Sequence, residues 1–296
     1  MELTILGTSA TLPTKTRNHS GYLLVYKAEG LLFDCGEGMQ RQLKTAGISF
    51  SKITRIFLTH WHGDHMLGLP GLLQSMAMQE YSRTLQIYGP PGSKEKYQKL
   101  LDAFESSYPI TAVIHEVKEG AFLETDDFVI EAYPLMHKIK CYGYRFAEKD
   151  KRKINMTKLK KLGVPEGPII GKIQEGKTIV HNGKKITPEE VTTLIKGRIF
   201  AYIPDTRPTK NCQKIAQDAD VLLCESTYTQ EHQAMAEEHH HLTAQEAGQI
   251  ASSSNAKKLI LTHFSARYKN ESELAQDART VFDNTFAAKD FMKIQI

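Results

Sequence analysis

"FLTHWHGDH", residues 57–65, closes an apolar run with three histidines and one aspartate in six positions. His60 and His62 lie two apart on a turn after a buried strand, so both imidazoles can converge on one ion. Asp64 and His65 can then reach a second point nearby. Gly63 leaves the sharp turn room. A lone H-x-H pair often only hydrogen-bonds within a loop, whereas H-x-H-x-D-H directly after a strand points to metal. A two-metal site needs further ligands, expected at other strand ends where the chain leaves the sheet.

Three residues meet that condition. His137 follows the strand ending "EAYPLM", Asp205 follows "RIFAYIP", and His263 follows "KKLILT". Each alone reads more readily as a surface or capped residue than as a ligand, but the repeated order of strand then ligand favours metal. Asp205 can bridge two cations, and the imidazoles would divide between them. Histidine and aspartate suit zinc and tolerate manganese or iron. Two such ions lower the pKa of a shared water and clamp the attacking and leaving oxygens of a phosphoryl displacement. No residue here is a convincing activated nucleophile, so a metal-held hydroxide is the expected attacking group.

Around these positions, short apolar strands alternate with helical patterns. Strands are expected at residues 3–6, 22–25, 31–33, 55–58, 85–88, 112–117, 128–134, 142–146, 199–203, 221–224, 259–261 and 291–294. Helices are expected at 38–46 (stopped by Gly47), 68–79 and 94–104, and two more have start signals of the capping type, Thr243 with Glu246 and Asn270 with Glu273. Twelve strands are too many for one doubly wound sheet, so the expectation is an α/β domain of two sheets with helices outside. With 296 residues, 41% hydrophobic and 24% charged, the chain has the composition of an ordinary globular protein. Its apolar runs fall short of the ~18 residues that span a bilayer, and "MELTILGTSA" lacks the pattern of a secretory leader, which together read as no membrane segment and a cytoplasmic location. Cys35, Cys141, Cys212 and Cys224 form no C-x-x-C pair and read as reduced, packed thiols. The net charge of +4 says little about partners unless it clusters.

It does cluster. From Lys149 to Lys161, seven of thirteen residues are Lys or Arg, and "LGVPEGPIIGKIQEGK" then supplies two prolines and four glycines. The stretch reads as an excursion from the layered domain, either a solvated loop or a basic arm that binds phosphates.

"HWHGDH", His137, "PDTR" and His263, in that order, resemble the metallo-β-lactamase superfamily. Further segments are similar to the ribonuclease Z family, which trims the 3′ ends of precursor tRNA: "LGTSATLPTKTRNHSGYLL", "LLFDCGEGMQRQL", "HGDHMLGLPGLL", "IYGPPG", "CYGYRF", "DTRP", "LCEST", "HLTAQEA" and "LTHFSARY". The resemblance runs from about residue 4 to residue 268. It implies a four-layer αββα sandwich over residues 1–296, a protruding flexible arm at 149–190, two Zn2+ per chain and a homodimer. His60, His62 and His137 would hold one zinc, Asp64, His65 and His263 the other, with Asp205 across both. The reaction would be metal-hydroxide attack on a phosphodiester, leaving a tRNA 3′-hydroxyl.

The same resemblance makes "PTKTRN" a loop that senses the tRNA 3′ end, through Pro13, Lys15, Arg17 and Asn18. It makes the basic stretch a clamp on the tRNA elbow, gripping through Lys151, Arg152, Lys153, Lys158, Lys160 and Lys161. Two departures stand out. Pro204 replaces a common glycine before the bridging aspartate, and the histidine before "LTA" occurs in a run, His239, His240 and His241. Register with "TA" selects His241, the expected proton donor to the leaving group; Glu225 either hydrogen-bonds it or merely ends a strand. Asp64 is expected to ligate metal and orient the attacking hydroxide. The alternative is a small-molecule phosphodiesterase or esterase of the same fold, which would share the metals but need no basic arm. A binding module that had lost catalysis would be expected to lack ligands that are present here.

Overall fold

The structure is a computed structural model that describes residues 1–103 and 110–296. The chain forms an αββα sandwich of two seven-stranded sheets. The first sheet runs, edge to edge, Lys293–Gln295, Glu2–Gly7, Gly21–Tyr26, Glu29–Phe33, Arg55–Phe57, Leu85–Gly89 and Ala112–Glu116. Its strands are antiparallel up to Glu29–Phe33 and parallel beyond. The second runs Thr285–Ala287, Leu259–Thr262, Val221–Glu225, Ile199–Ile203, Cys141–Glu148, Phe128–Leu135 and Gly120–Glu124. Its first four strands are parallel.

The inner strands are apolar on both faces because both faces are covered. Alternate residues meet across the sheets through aromatic rings: Tyr22 on Tyr202, Phe33 on Phe200 and Phe57 on Tyr144, with centroids 5.0, 5.4 and 5.6 Å apart. Their neighbours Leu23, Leu32 and Ile56 point outward into Met39, Leu43 and Leu72 of the flanking helices Met39–Thr45 and Leu69–Met78. On the other side Ala201, Ile203 and Leu222 pack under Ile215, Ala247 and Leu274 of helices Lys210–Ala216, Ala244–Ser253 and Ser272–Arg279. The four cysteines are free and buried. Among the described residues, no helix is long and apolar enough to cross a membrane.

Several expectations are corrected. The last strand is Lys293–Gln295, because Phe291 takes a φ of 69° that no strand accommodates. Helix Ser93–Asp102 ends before Phe104, which lies outside the described residues. Thr243 and Glu246 form the reciprocal capping box, but Asn270 bonds the amide of Ser272 just ahead of helix Ser272–Arg279, whose cap is Glu271. Gly63 has no left-handed backbone; it opens the short helix Gly63–Met66, where a Cβ would lie 2.8 Å from the Leu67 side chain.

Contacts divide the chain into two compact units, residues 1–124 with 130–146 and 199–296, and residues 125–129 with 147–198. The second, wider than 149–190, has its own apolar core of Leu159, Val164, Ile173, Ile179, Ile186 and Val191. Two ribbons build it, Lys151–Ile154 with Thr192–Ile195 and Ile179–His181 with Lys184–Ile186. The capping box of Thr187 and Glu190 begins helix Pro188–Val191. Residues 147–198 carry thirteen Lys or Arg and six Asp or Glu, +7 in a chain whose total is +4.

Candidate metal centre

Strand ends of both sheets deliver the titratable residues to one place, as parallel strands commonly do at their carboxyl ends. His60 leaves Arg55–Phe57, His137 leaves Phe128–Leu135, Asp205 leaves Ile199–Ile203 and His263 leaves Leu259–Thr262. His62 precedes helix Gly63–Met66, which carries Asp64 and His65 in its single turn. Ligand atoms of His60, His62, His137 and Asp205 lie within 4.8 Å of one another, as do those of Asp64, His65 and His263. Asp205 faces both sets: Oδ2 is 3.7 Å from His60 and 3.8 Å from His137, Oδ1 3.4 Å from His65 and 3.3 Å from His263. Pro204 leaves that carboxylate buried and directed at the cluster.

The outer partners determine which nitrogen of each ring faces inward. Asp34 accepts from His65 Nδ1 at 2.8 Å, and the carbonyl of His240 accepts from His137 Nδ1 at 3.1 Å. The Thr59 hydroxyl donates to Asp34, so its oxygen accepts from His60 Nδ1 at 3.0 Å. Thr227 likewise donates to Glu225 and accepts from His263 Nδ1 at 3.0 Å. Each of these four rings therefore carries a hydrogen outside and turns Nε2 into the cluster, as a lone pair wherever the ring is neutral. There His65 Nε2 and His263 Nε2 stand 3.2 Å apart, and His62 Nδ1 stands 3.1 Å from His60 Nε2 and 3.2 Å from His137 Nε2. Asp205 Oδ1 is buried without a hydrogen-bond partner. Lone pairs aimed at lone pairs beside an orphaned carboxylate oxygen require positive charge between them, so the donor set fits divalent cations.

Protonation follows the same logic. Burial disfavours the His65 imidazolium, but Asp205, Asp64 and Asp34 outweigh it and push the ring up to about 10, so without an ion a proton occupies Nε2 in the place a cation would take. Burial holds His60, His62 and His137 below the usual histidine range. Burial also opposes ionisation of the two carboxyls, yet His65 and His263 hold both Asp64 and Asp205 below the usual carboxylate range.

His241, rather than His239 or His240, stands against Glu225: the fully buried carboxylate accepts from His241 Nδ1 at 3.1 Å and from the amide of Thr206 at 2.9 Å. Burial opposes charge on His241, but Glu225 and Asp205 raise it to about 9. A His241 nitrogen also lies within 4.8 Å of ligand atoms of Asp205 and His263, so neither proximity nor an outward Nδ1 bond, which the four ligand rings share, separates it from the ligands; it is set apart by its place on the loop ahead of helix Ala244–Ser253 rather than after a strand. Arg207, paired with Glu246 and with the His241 carbonyl, ties this loop to the capped helix Ala244–Ser253. His239 lies beside Tyr228, ring centroids 6.4 Å apart, and His240 takes a left-handed φ of 61°.

Asp34 and Thr59 had no role in the reading of the sequence. Asp34 accepts from Thr59, His65 and Tyr202, and is wholly buried. The signal was present, since Asp34 follows an apolar strand as Asp205 does. Asp34 and His263 take left-handed φ values of 57° and 59°, and Thr11 one of 32°; each costs about 1–3 kcal/mol and persists only because its surroundings hold it.

The cluster floors a cleft of about 860 Å³ whose walls include Pro13, His19, Tyr228 and Arg267. Lys15, Arg17 and Asn18 instead line a separate cavity of about 430 Å³. There Arg17 donates to the carbonyl of Tyr268 and Asn18 to that of Glu37. In the second unit Lys151 pairs with Asp127 and Arg152 with Glu189, while Lys153, Lys158, Lys160 and Lys161 are exposed. Lys158 and Lys161 share a groove with Lys184 and Lys185.

Comparisons with known proteins agree on the fold. Residues 1–156 match the family described as "Anti-Pycsar protein Apyc1", and residues 188–264 match the "Beta-lactamase superfamily domain". Ribonuclease Z of Methanothermobacter thermautotrophicus is 41% identical over 297 residues, covering 100% of this chain and 97% of that protein. Ribonuclease Z of Protochlamydia amoebophila is 43% identical over 292 residues, covering 98% and 95%. The crystal structure of human tRNase Z, short form (ELAC1), matches with a TM-score of 0.74 at 29% identity, covering 100% of this chain and 99% of that one.

Proposed function

Because the chain belongs to the ribonuclease Z family, its first half matching the Apyc1 family as well, we propose that it is a zinc-dependent endoribonuclease that removes the 3′ trailer from precursor tRNA. The observation that carries the reading is the convergence of inward lone pairs on the orphaned Asp205 oxygen. His60, His62 and His137 would hold one Zn2+, Asp64, His65 and His263 the second, and Asp205 both; manganese or iron would satisfy the same donors. Bound there, the ions would activate a water and withdraw charge from the phosphate.

The remaining chemistry belongs to the chain. Asp64, anchored by the Thr11 amide at 2.8 Å, orients the attacking water and can accept its proton. As the P–O3′ bond breaks, the electron pair stays on the departing O3′, and His241, held protonated by Glu225, delivers the proton that makes it a 3′-hydroxyl. The segment Pro13–Asn18 would read the tRNA 3′ end. Residues 149–190 would hold the tRNA backbone through Lys151, Arg152, Lys153, Lys158, Lys160 and Lys161. The assembly we propose is a homodimer and the location cytoplasmic, consistent with a tRNA substrate.

The test is cleavage of a precursor tRNA with a 3′ trailer, run beside bis(p-nitrophenyl) phosphate, before and after chelation and zinc return. The reading predicts that both activities vanish on chelation and return with zinc. Activity on the small diester alone would favour a small-molecule phosphodiesterase, and full activity in metal-free protein would overturn the mechanism.

A further inference from the structure

His19 stands just ahead of strand Gly21–Tyr26, in the wall of the cleft, and has no part in the chemistry above. The residue is buried and closely packed at its backbone and Cβ. A Cβ on Gly7 would lie 1.8 Å from the His19 carbonyl oxygen and one on Gly36 2.5 Å from the His19 Cβ, so two glycines let this residue press against the backbone. The ring is thereby brought to Thr11, with Nε2 3.1 Å from the Thr11 carbonyl. A carbonyl only accepts, so Nε2 carries the hydrogen and donates it. Thr11 has a φ of 32°, which a β-branched residue rarely adopts, and its amide donates to Asp64 Oδ2 at 2.8 Å. Both backbone polar groups of one strained residue are therefore engaged, the carbonyl by His19 and the amide by Asp64.

We propose that His19 is a positioning residue for the metal centre: through the Thr11 backbone, its imidazole holds the Asp64 carboxylate in the orientation that ligates an ion. This rests on the reading of Asp64 as a ligand. A threonine in a left-handed conformation stays there only while its surroundings hold it. Without the bond to its carbonyl, the residue relaxes toward negative φ and its amide turns away from Asp64. The carboxylate is then free to rotate, and the ion it faces is held less tightly. The chain of contacts passes through the backbone of a strained residue, and it joins the centre to the loop that leads into "PTKTRN".

The experiment compares wild type with His19→Leu and His19→Ala, which both lack the donor, His19→Gln, which keeps one, and Asp64→Ala. Zinc affinity is measured by competition with a chromophoric chelator, the ligand field by the visible absorption of the cobalt(II)-loaded protein, and kcat and KM on precursor tRNA. Circular dichroism of the metal-free proteins establishes which variants fold; Leu fills the space that Ala leaves, so one donor-free variant carries the test if the other fails. In the variants without the donor, the more weakly held ion should bind about 10- to 100-fold less tightly, with an altered cobalt spectrum and a lower kcat at unchanged KM. His19→Gln should recover affinity and spectrum, and Asp64→Ala should lose that ion. Wild-type affinity and spectrum in the donor-free variants, beside ion loss in Asp64→Ala, would overturn the role of His19 alone. So would a raised KM at unchanged metal affinity, which would mean that His19 only shapes the substrate loop. Retention of both ions by Asp64→Ala would overturn the ligand reading and this proposal with it.

Discussion

Two regions of this chain concentrate ionisable groups and treat them in opposite ways. Around Asp205, six more titratable side chains are wholly or partly buried, and the outward nitrogens of His60, His65, His137 and His263 are each met by an oxygen. In residues 147–198 a small apolar core is wrapped in lysines that stay in water. Burial makes each interaction in the first region strong and dependent on position, because the low dielectric neither screens a charge nor forgives a misplaced one. In the second, water and salt screen each charge, so only their sum matters. The first should therefore fail at single substitutions and the second decline gradually.

The largest effect is expected at Asp205, whose two oxygens face the two ligand sets. Asp205→Ala should lose at least one ion by elemental analysis, and cleavage of both precursor tRNA and bis(p-nitrophenyl) phosphate should fall below detection. A variant that kept its ions and its turnover would erase the contrast between the two regions. Next comes His241→Ala, which should keep both ions and bind tRNA nearly normally while single-turnover cleavage slows by ~10²- to 10⁴-fold. If the loss appeared in His239→Ala or His240→Ala instead, the proton donor would have to be reassigned despite the bond from His241 to Glu225.

On the other side of the comparison, Lys158→Ala, Lys160→Ala and Lys161→Ala combined should weaken tRNA binding. The salt dependence should flatten by roughly 0.7–0.9 in slope for each phosphate that is no longer neutralised. Hydrolysis of the small diester should be unchanged, and an unaltered tRNA affinity would reduce the basic unit to a solvated surface. The smallest effect is expected at Thr243, the cap of helix Ala244–Ser253 beside His241. Thr243→Ala should lower the unfolding free energy by about 1 kcal/mol in denaturant titration and leave the bound ions in place.

Legibility followed burial. The strands of the central sandwich announce themselves because both faces are apolar, as in "YLLV" and "FAYI". The strands that went unread are Gly120–Glu124, Thr285–Ala287 and the four of the second unit. Lys151–Ile154 is the clearest of these: "KRKI" reads as charge, and only its partner Thr192–Ile195 makes it a strand. In the same way "LGVPEGPIIGKIQEGK" reads as punctuation, although Val164 and Ile173 belong to a core completed by Ile186 and Val191 from later in the chain.

By itself the sequence determined which side chains end the strands: His60, His137, Asp205 and His263 are legible because the same order, a buried run and then a metal-ligating residue, recurs four times. It also determined the family, through the order and spacing of the motifs around them. Only the tertiary structure decided which nitrogen of each ring faces inward, that Asp34 and Thr227 impose that choice, that Asp205 faces both ligand sets, and that Thr11 is strained between His19 and Asp64. The physical reason is that a hydrogen-bond direction depends on both partners, and here the partners meet from segments as far apart as Asp34 and Tyr202, 168 residues along the chain.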